Sequence, residues 1–364
     1  MLLKTLLILL ALIGLAVPIA ASLGWLGLIL QYTDSPMPLH RAISDMAWQT
    51  STDFLLVAIP MFVMMGEILL RAGITERMYD GIVKWVGWLP GGLMHSNIGS
   101  SALFAATSGS SVATAATIGT VAVPQIEKRG YNESLFLGTV AAGGTLGILI
   151  PPSINLILYG LLTNTSVPEL YLAGFIPGFL LALLFMATIV VACMIKPEWG
   201  GEKLRHTWSE RLRALPSLIP PLGIFVVVVG SIYAGLATPT EAAAVGAIGT
   251  ILLAGERLSG GHRLIRLGAL ALALLVLQTS YMDLRLARDT LGALDYIAMG
   301  VALSFCGLLA GAVLVSLATA WRGDVLGSVV RSTTHTTSMV FIILIGAALF
   351  SLVFRGLGGD EAIQ

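Results

Sequence analysis

Long apolar stretches, separated by short polar punctuation, dominate the chain. A helix that crosses a bilayer needs about 20 mostly apolar residues. Stretches close to that length run over residues 6–30, 54–70, 134–150, 170–194, 215–234, 242–254, 264–279, 294–320 and 338–354. Each predicts a helix, because a lipid-exposed backbone must satisfy its polar groups internally. The first stretch is long enough for Pro18 to divide it. Lys4 ahead of an apolar core, with Ala20, Ala21 and Ser22 behind it, also fits a signal peptide. The apolarity of everything that follows favours a retained segment. Residues 93–124 differ, being apolar overall but dense in Gly, Ser and Thr. They predict two short helical legs meeting at a break.

Composition narrows the class. Of 364 residues, 56% are hydrophobic and only 11% charged, against roughly 25% charged in soluble domains; the mean hydropathy is +0.91. A soluble fold could not cover itself with so few charges, which excludes a cytosolic enzyme, a basic-faced nucleic-acid binder and a disordered chain. The expected fold is an all-α polytopic membrane protein. Net charge is zero, so no bulk electrostatic partner and no nucleic acid is implied. Cys193 and Cys306 lie in apolar runs and give no disulfide framework. The five histidines are scattered without an HExxH pair, so a metal site is not expected.

Lys and Arg in short loops set orientation. The loop 196–213 carries Lys196, Lys203, Arg205, Arg211 and Arg213 and is placed in the cytoplasm. The turn at Thr238–Thr240 then falls outside, the loop with Arg257, Arg263 and Arg266 inside, and the loop 282–290 outside. Residues 14–24 and 235–246 are similar, each opening a helix at a proline; the second begins outside by this count, and the first begins inside if Pro18 divides its stretch. Opposed related halves are a mark of inverted-repeat transporters. The counterpart of the glycine-rich break after Pro18 would fall beyond residue 364, so the second repeat is expected to be incomplete. The expected division is 1–200 (first repeat), 201–257 (start of the second), 258–325 (an inserted pair of hydrophobic segments) and 326–364 (continuation of the second).

Two motifs carry chemistry. In residues 106–114, Ala-Thr-Ser108-Gly109-Ser110-Ser111-Val-Ala-Thr, small residues permit a sharp turn that bares carbonyls and hydroxyls. Such oxygens suit a partly dehydrated Na⁺, and the free N–H groups of a half-helix suit a carboxylate. A small-residue packing face with back-bonded hydroxyls explains the same pattern equally well. In residues 143–155, Gly143-Gly144-Thr145-Leu-Gly147 precedes Ile150-Pro151-Pro152-Ser153-Ile-Asn155. Pro152 restrains Pro151 from helical geometry, so a helix ends near Ile150 and another can begin at Pro152. A simple proline kink is the plainer alternative.

These residues, 143–160 and 108–119, together with Leu172-Ala-Gly174-Phe-Ile-Pro177-Gly178 and Thr238-Pro-Thr-Glu241-Ala, resemble the large membrane subunit of tripartite ATP-independent periplasmic (TRAP) transporters. The resemblance covers residues 10–256 and returns near 332–362. It implies an elevator-type, inverted-repeat secondary transporter with a re-entrant hairpin and broken helices in the bacterial cytoplasmic membrane. The implied activity is Na⁺-coupled uptake of C4-dicarboxylates or related organic acids. The implied partners are a small four-helix membrane subunit and a periplasmic solute-binding protein; Na⁺ is the coupling ion and no other cofactor is implied. By matching position, Ser108, Gly109, Ser110 and Ser111 are hairpin site residues, and Gly144, Thr145 and Gly147 belong to the broken helix. Na⁺ is expected near Ser110, Gly144 and Thr145, with Pro151 and Pro152 shaping the break. The family pattern generally lacks residues 258–325, which would be a lipid-facing appendage or a docking surface.

Glu67 is an acid in an apolar run, read as either functional or solvated at a span end. Glu241 is expected to cap its helix. Arg71, Arg77 and Lys84, with Trp85 and Trp88, suggest an interfacial helix on the inner leaflet, with subunit docking as the alternative. Two readings compete with the transporter: an intramembrane hydrolase with Ser108 activated by His95 or His335, and a non-transporting scaffold.

Overall fold

The computed structural model describes residues 2–35, 38–202, 204–282 and 292–363. Lys203 and most of the loop 282–290 lie outside the described residues. Seventeen α-helices occupy the described chain: α1 (Leu2–Gly14), α2 (Ile19–Asp34), α3 (Ile43–Ser51), α4 (Ala58–Arg71), α5 (Ile74–Val86), α6 (Leu93–Ser108), α7 (Ser111–Ala122), α8 (Gln125–Arg129), α9 (Glu133–Leu149), α10 (Ile154–Thr163), α11 (Val167–Ile195), α12 (Trp208–Tyr233), α13 (Pro239–Ser259), α14 (Arg263–Tyr281), α15 (Ala293–Arg322), α16 (Val325–Gly356) and α17 (Gly359–Ile363). Among the described residues, seven helical segments are long and apolar enough to cross a membrane: Phe54–Arg71, Glu133–Thr163, α11, α12, α13, α15 and α16.

Local sequence accounts for the boundaries. Pro18 separates α1 from α2, as expected. Thr238 and Glu241 cap α13 reciprocally: the Glu241 N–H donates to Thr238 Oγ1 at 3.3 Å and the Thr238 N–H to Glu241 Oε2 at 2.8 Å. Thr207 and Glu210 do the same for α12. These boxes satisfy N–H groups that a helix start leaves bare. One boundary departs from the hydrophobic pattern. Helix α16 starts at Val325, well ahead of residue 338, because Ser332, Thr333, Thr334, Thr336 and Thr337 lower the hydropathy without breaking a helix.

The chain forms two compact units, one of residues 1–57 with 333–364 and one of residues 58–332. In the first, Leu26, Leu30, Leu349 and Val353 make a buried cluster. Gly27 and Gly346 let α2 and α16 approach closely: a Cβ on Gly27 would sit 3.2 Å from Leu349 Cγ, and one on Gly346 would sit 2.5 Å from Ala20 O. Lys4 Nζ, on α1, bridges to Asp34 Oδ2, at the end of α2, at 2.6 Å.

Helix α6 is the interior of the second unit. Nearly all its residues are buried, and it packs on α4, α5, α7, α9, α11 and α12. Its polar residues are therefore inside. Tyr79 Oη donates to Asn97 Oδ1 at 2.7 Å, and Asn97 Nδ2 donates to Thr139 Oγ1 at 2.9 Å, tying α5, α6 and α9 together. The amphipathic helix α5 buries Ile74, Met78, Tyr79 and Ile82 against this core. Glu67 departs from the solvated position considered above. Its Oε1 accepts from Ser332 Oγ at 2.7 Å, and its Oε2 lies 3.5 Å from Arg71 Nε, so two partners satisfy the carboxylate. In the 258–325 region, α14 and α15 run antiparallel, with Gly268 facing Ala312 and Gln278 Nε2 donating to Ala298 O at 2.8 Å. Gly255 of α13 faces Ser316 of α15, so the pair is packed into the unit.

Candidate functional site

The two interrupted elements meet. Helix α6 stops at Ser108 because Gly109 takes a left-handed conformation, φ 63° and ψ 10°, which favours glycine. The Gly109 N–H still donates to Ala105 O at 2.9 Å. Ser110 is extended and caps α7, its Oγ accepting from the Ala113 N–H at 3.3 Å. Thr114 ties the turn from the other leg: its Oγ1 donates to Ser110 O at 2.7 Å and lies 3.3 Å from Ser108 Oγ. Two helical legs and a two-residue tip thus replace a plain span.

On the broken helix, α9 ends at Leu149 and Ile150 turns extended. The Pro151–Pro152 peptide is cis. The chain resumes helix at Ile154, two residues later than Pro152, where a restart was expected. The reason lies across the gap: the Ile154 N–H donates to Gly109 O at 3.1 Å, so the extended segment is bonded to the hairpin tip before it coils. Ser153 is buried, and its Oγ donates to Ile148 O at 2.7 Å. Asn155 is exposed.

Glycine spacing explains the close fit. A Cβ on Gly147 would lie 2.8 Å from Ser110 C and Ser111 N, and one on Gly144 would lie 2.7 Å from Ala115 Cβ. A Cβ on Gly109 would lie 2.7 Å from Pro152 O, and one on Gly66 of α4 would lie 2.6 Å from Ser108 Cβ. Behind the break, α11 approaches through Gly174, where a Cβ would lie 2.6 Å from Leu149 O. The structure therefore gathers Ser108, Gly109, Ser110, Ser111, Gly144, Gly147, Pro151 and Pro152 at one locus. Thr145 is not among them; it stands on an exposed face of α9 with its hydroxyl donating to Ala142 O at 2.7 Å.

Four helix ends converge here. The carbonyl ends of α6 and α9 carry partial negative charge and the N–H ends of α7 and α10 partial positive charge. Ser110 and Ser111 are half-buried, and Ser108, Gly109, Gly144 and Gly147 are buried. A cation at the carbonyl ends and an anion at the N–H ends would each find complementary dipoles within a short distance. No group of three or more acidic, histidine or cysteine side chains suited to a metal occurs among the described residues, so oxygens of the main chain and hydroxyls are the available ligands.

Several supporting residues carried little signal in the sequence. Asn97, Tyr79 and Thr139 belong to no motif in the sequence. Gly66 is one small residue in a methionine-rich run. Tyr131, between α8 and α9, accepts the Leu93 N–H at 3.0 Å and so fixes the base of the hairpin. Burial pushes its phenol up from its usual range, which keeps it neutral. With His95 as the base, the hydrolase reading fails on geometry; His335 belongs to the other compact unit. Ser108 Oγ faces Thr114, while His95 is bonded to Pro90 O at 2.8 Å, thirteen residues back on the same helix or about 20 Å away.

A family model described as "Tripartite ATP-independent periplasmic transporter, DctM component" matches residues 6–282. The chain belongs to this family. The match runs through α14; α15 and the residues beyond lie outside it. Among its relatives, the C4-dicarboxylate TRAP transporter large permease protein DctM of Pseudomonas aeruginosa is 38% identical over 229 residues, covering 62% of this chain and 52% of the relative. The ectoine TRAP transporter large permease protein TeaC of Halomonas elongata is 35% identical over 198 residues, 54% of this chain and 46% of the relative. The sialic acid TRAP transporter large permease protein SiaM of Vibrio cholerae is 36% identical over 203 residues, 55% of this chain and 47% of the relative. The chain spans about half the length of these curated relatives. They are named as transporter permeases, not enzymes. Membership of the DctM family, with seven apolar helices, makes this a multi-pass protein of the bacterial inner membrane.

Proposed function

We propose that this DctM-family chain is the large permease part of a Na⁺-coupled secondary transporter of small organic acids, working as an elevator. It works with a small membrane subunit and a periplasmic binding protein that delivers the solute. The observation that carries the reading is the bond from the Ile154 N–H to Gly109 O, which joins the tip of one interrupted element to the gap in the other. In this reading Na⁺ sits on oxygens around Ser110 and beside Gly144, close to the carbonyl ends of α6 and α9. The solute carboxylate sits at the N–H ends, beside Ser110 and Ser111. Thr145 donates its hydroxyl hydrogen to Ala142 O, which leaves the oxygen lone pairs free for the ion. The relatives are named for C4-dicarboxylates, ectoine and sialic acid at 35–38% identity, so similarity alone does not choose the solute.

The test is uptake by proteoliposomes holding the chain within its complete open reading frame, together with the small subunit, and supplied with the cognate binding protein. Uptake of a labelled organic acid should need both an inward Na⁺ gradient and the binding protein. Equal uptake with K⁺ in place of Na⁺ would contradict the coupling. Uptake without the binding protein would contradict the delivery step. A chain that assembles with the small subunit yet moves no acid under any gradient would favour the scaffold.

A further inference from the structure

Away from the hairpin, four arginines from four helices surround one cavity. Arg77 comes from α5, Arg213 from the first part of α12, Arg257 from the end of α13 and Arg266 from the start of α14; the cavity they line measures about 550 Å³. Glu256 is the only acid on its wall, leaving an excess of three positive charges. Glu256 Oε1 is taken by Arg266 Nε at 2.7 Å. Arg77, Arg213 and Arg257 have no carboxylate partner among the described residues. Guanidinium groups held without counter-charge are matched by phosphate, which takes their paired N–H donors two at a time.

A second cavity of about 650 Å³ adjoins the first between α12, α13 and α14. Pro220, Leu253, Glu256 and Arg266 border both. Away from that shared edge its wall is apolar, with Val227, Val245, Leu272, Ala273 and Val276. It opens at Ile219 and Val227, which are 64% and 44% exposed. A basic pocket thus leads directly into an apolar groove. Arg213, Arg257 and Arg266 lie in the helix ends beside loops that the charge pattern assigns to the cytoplasm. Their convergence with Arg77 puts the basic pocket at the level of the inner-leaflet headgroups, where anionic lipids collect.

We infer that this composite cavity is a binding site for an anionic phospholipid, its phosphate held by Arg77, Arg213, Arg257 and Arg266 and its acyl chains laid in the groove between α12, α13 and α14. Free phosphate shares the headgroup chemistry but gains nothing from the groove. A zwitterionic lipid fits the groove but brings no net charge to the arginines. Part of the site is built by α14, so the lipid would fasten that helix to α12 and α13.

The test uses the full chain, purified in neutral detergent and stripped of lipid, with binding read by native mass spectrometry and thermal unfolding. Phosphatidylglycerol should bind at least tenfold more tightly than phosphatidylcholine of the same chains and should raise the unfolding midpoint. Inorganic phosphate at equal concentration should do neither. The triple variant Arg77→Gln, Arg213→Gln, Arg257→Gln should lose that preference. Ala273→Phe, on the exposed groove wall, should weaken phosphatidylglycerol at least fivefold with all four arginines intact, and it decides the matter if the triple variant does not fold. Equal binding of the two lipids, protection by phosphate as strong as by phosphatidylglycerol, or unchanged affinity in Ala273→Phe would each overturn the site.

Discussion

At the scale of the residue, glycines on one helix have opposite jobs. Gly138 and Gly147 both lie in α9. A Cβ on Gly138 meets nothing within 4 Å, whereas one on Gly147 strikes the Ser110–Ser111 backbone at 2.8 Å. Backbone cannot swing aside as a side-chain end can. Gly147→Ala should therefore cost about 1–3 kcal/mol through overpacking, and Gly138→Ala should be neutral or stabilising by up to about 1 kcal/mol. Thermal unfolding of the two variants in detergent checks this, and equal midpoints would contradict the packing of tip against break. Gly109→Val should be worse than Gly147→Ala, since it combines a positive φ with the approach of Pro152 O. The glycine clusters were legible in the sequence, but which of them touch was not. Thr145 shows the limit: it follows Gly144 directly, yet a one-residue step turns it about 100° round the helix, onto an exposed face.

At the scale of the element, both interruptions were readable because Gly, Ser and Pro act through local backbone geometry. Gly109 ends α6, Ser110 starts α7, and the double proline ends α9. The restart at Ile154 was not readable, since a bond to Gly109, far off in sequence, delays it. The start of α16 was hidden for another reason: hydropathy penalises Thr and Ser, but a helix tolerates them. Two predictions belong here. Asn97→Leu would strip the Tyr79 hydroxyl of its acceptor and Thr139 of its donor, and should cost about 1–3 kcal/mol for the buried groups left unpaired. A thermal midpoint unchanged from the native chain would deny the three-helix tie. Ser110→Ala removes the cap of α7 and should cost about 1 kcal/mol; in the uptake assay it should also raise the Na⁺ needed for half-maximal rate. An effect on solute affinity alone would move Ser110 from the ion to the carboxylate.

At the scale of the whole molecule, low charge and recurrent apolar stretches made the membrane class legible, and four separated motifs made the family legible. The two compact units were not, because residues 333–364 join residues 1–57 through contacts distant in sequence. Sidedness remains testable directly. Leu236→Cys, in the turn before α13, should react with a membrane-impermeant maleimide in intact cells, while Arg205→Cys should react only after permeabilisation. The reverse pattern would invert the orientation and with it the inner-leaflet position of the arginine pocket. The central claim is that the bared backbone where α6, α7, α9 and α10 meet holds Na⁺. Val112, 74% exposed beside the tip, offers a reporter: Val112→Cys in a chain whose Cys193 and Cys306 are replaced by Ala, with maleimide labelling followed over time. The labelling rate should fall at least threefold when Na⁺ replaces K⁺, and Gly147→Val should abolish that difference; equal rates in the two ions would contradict the account.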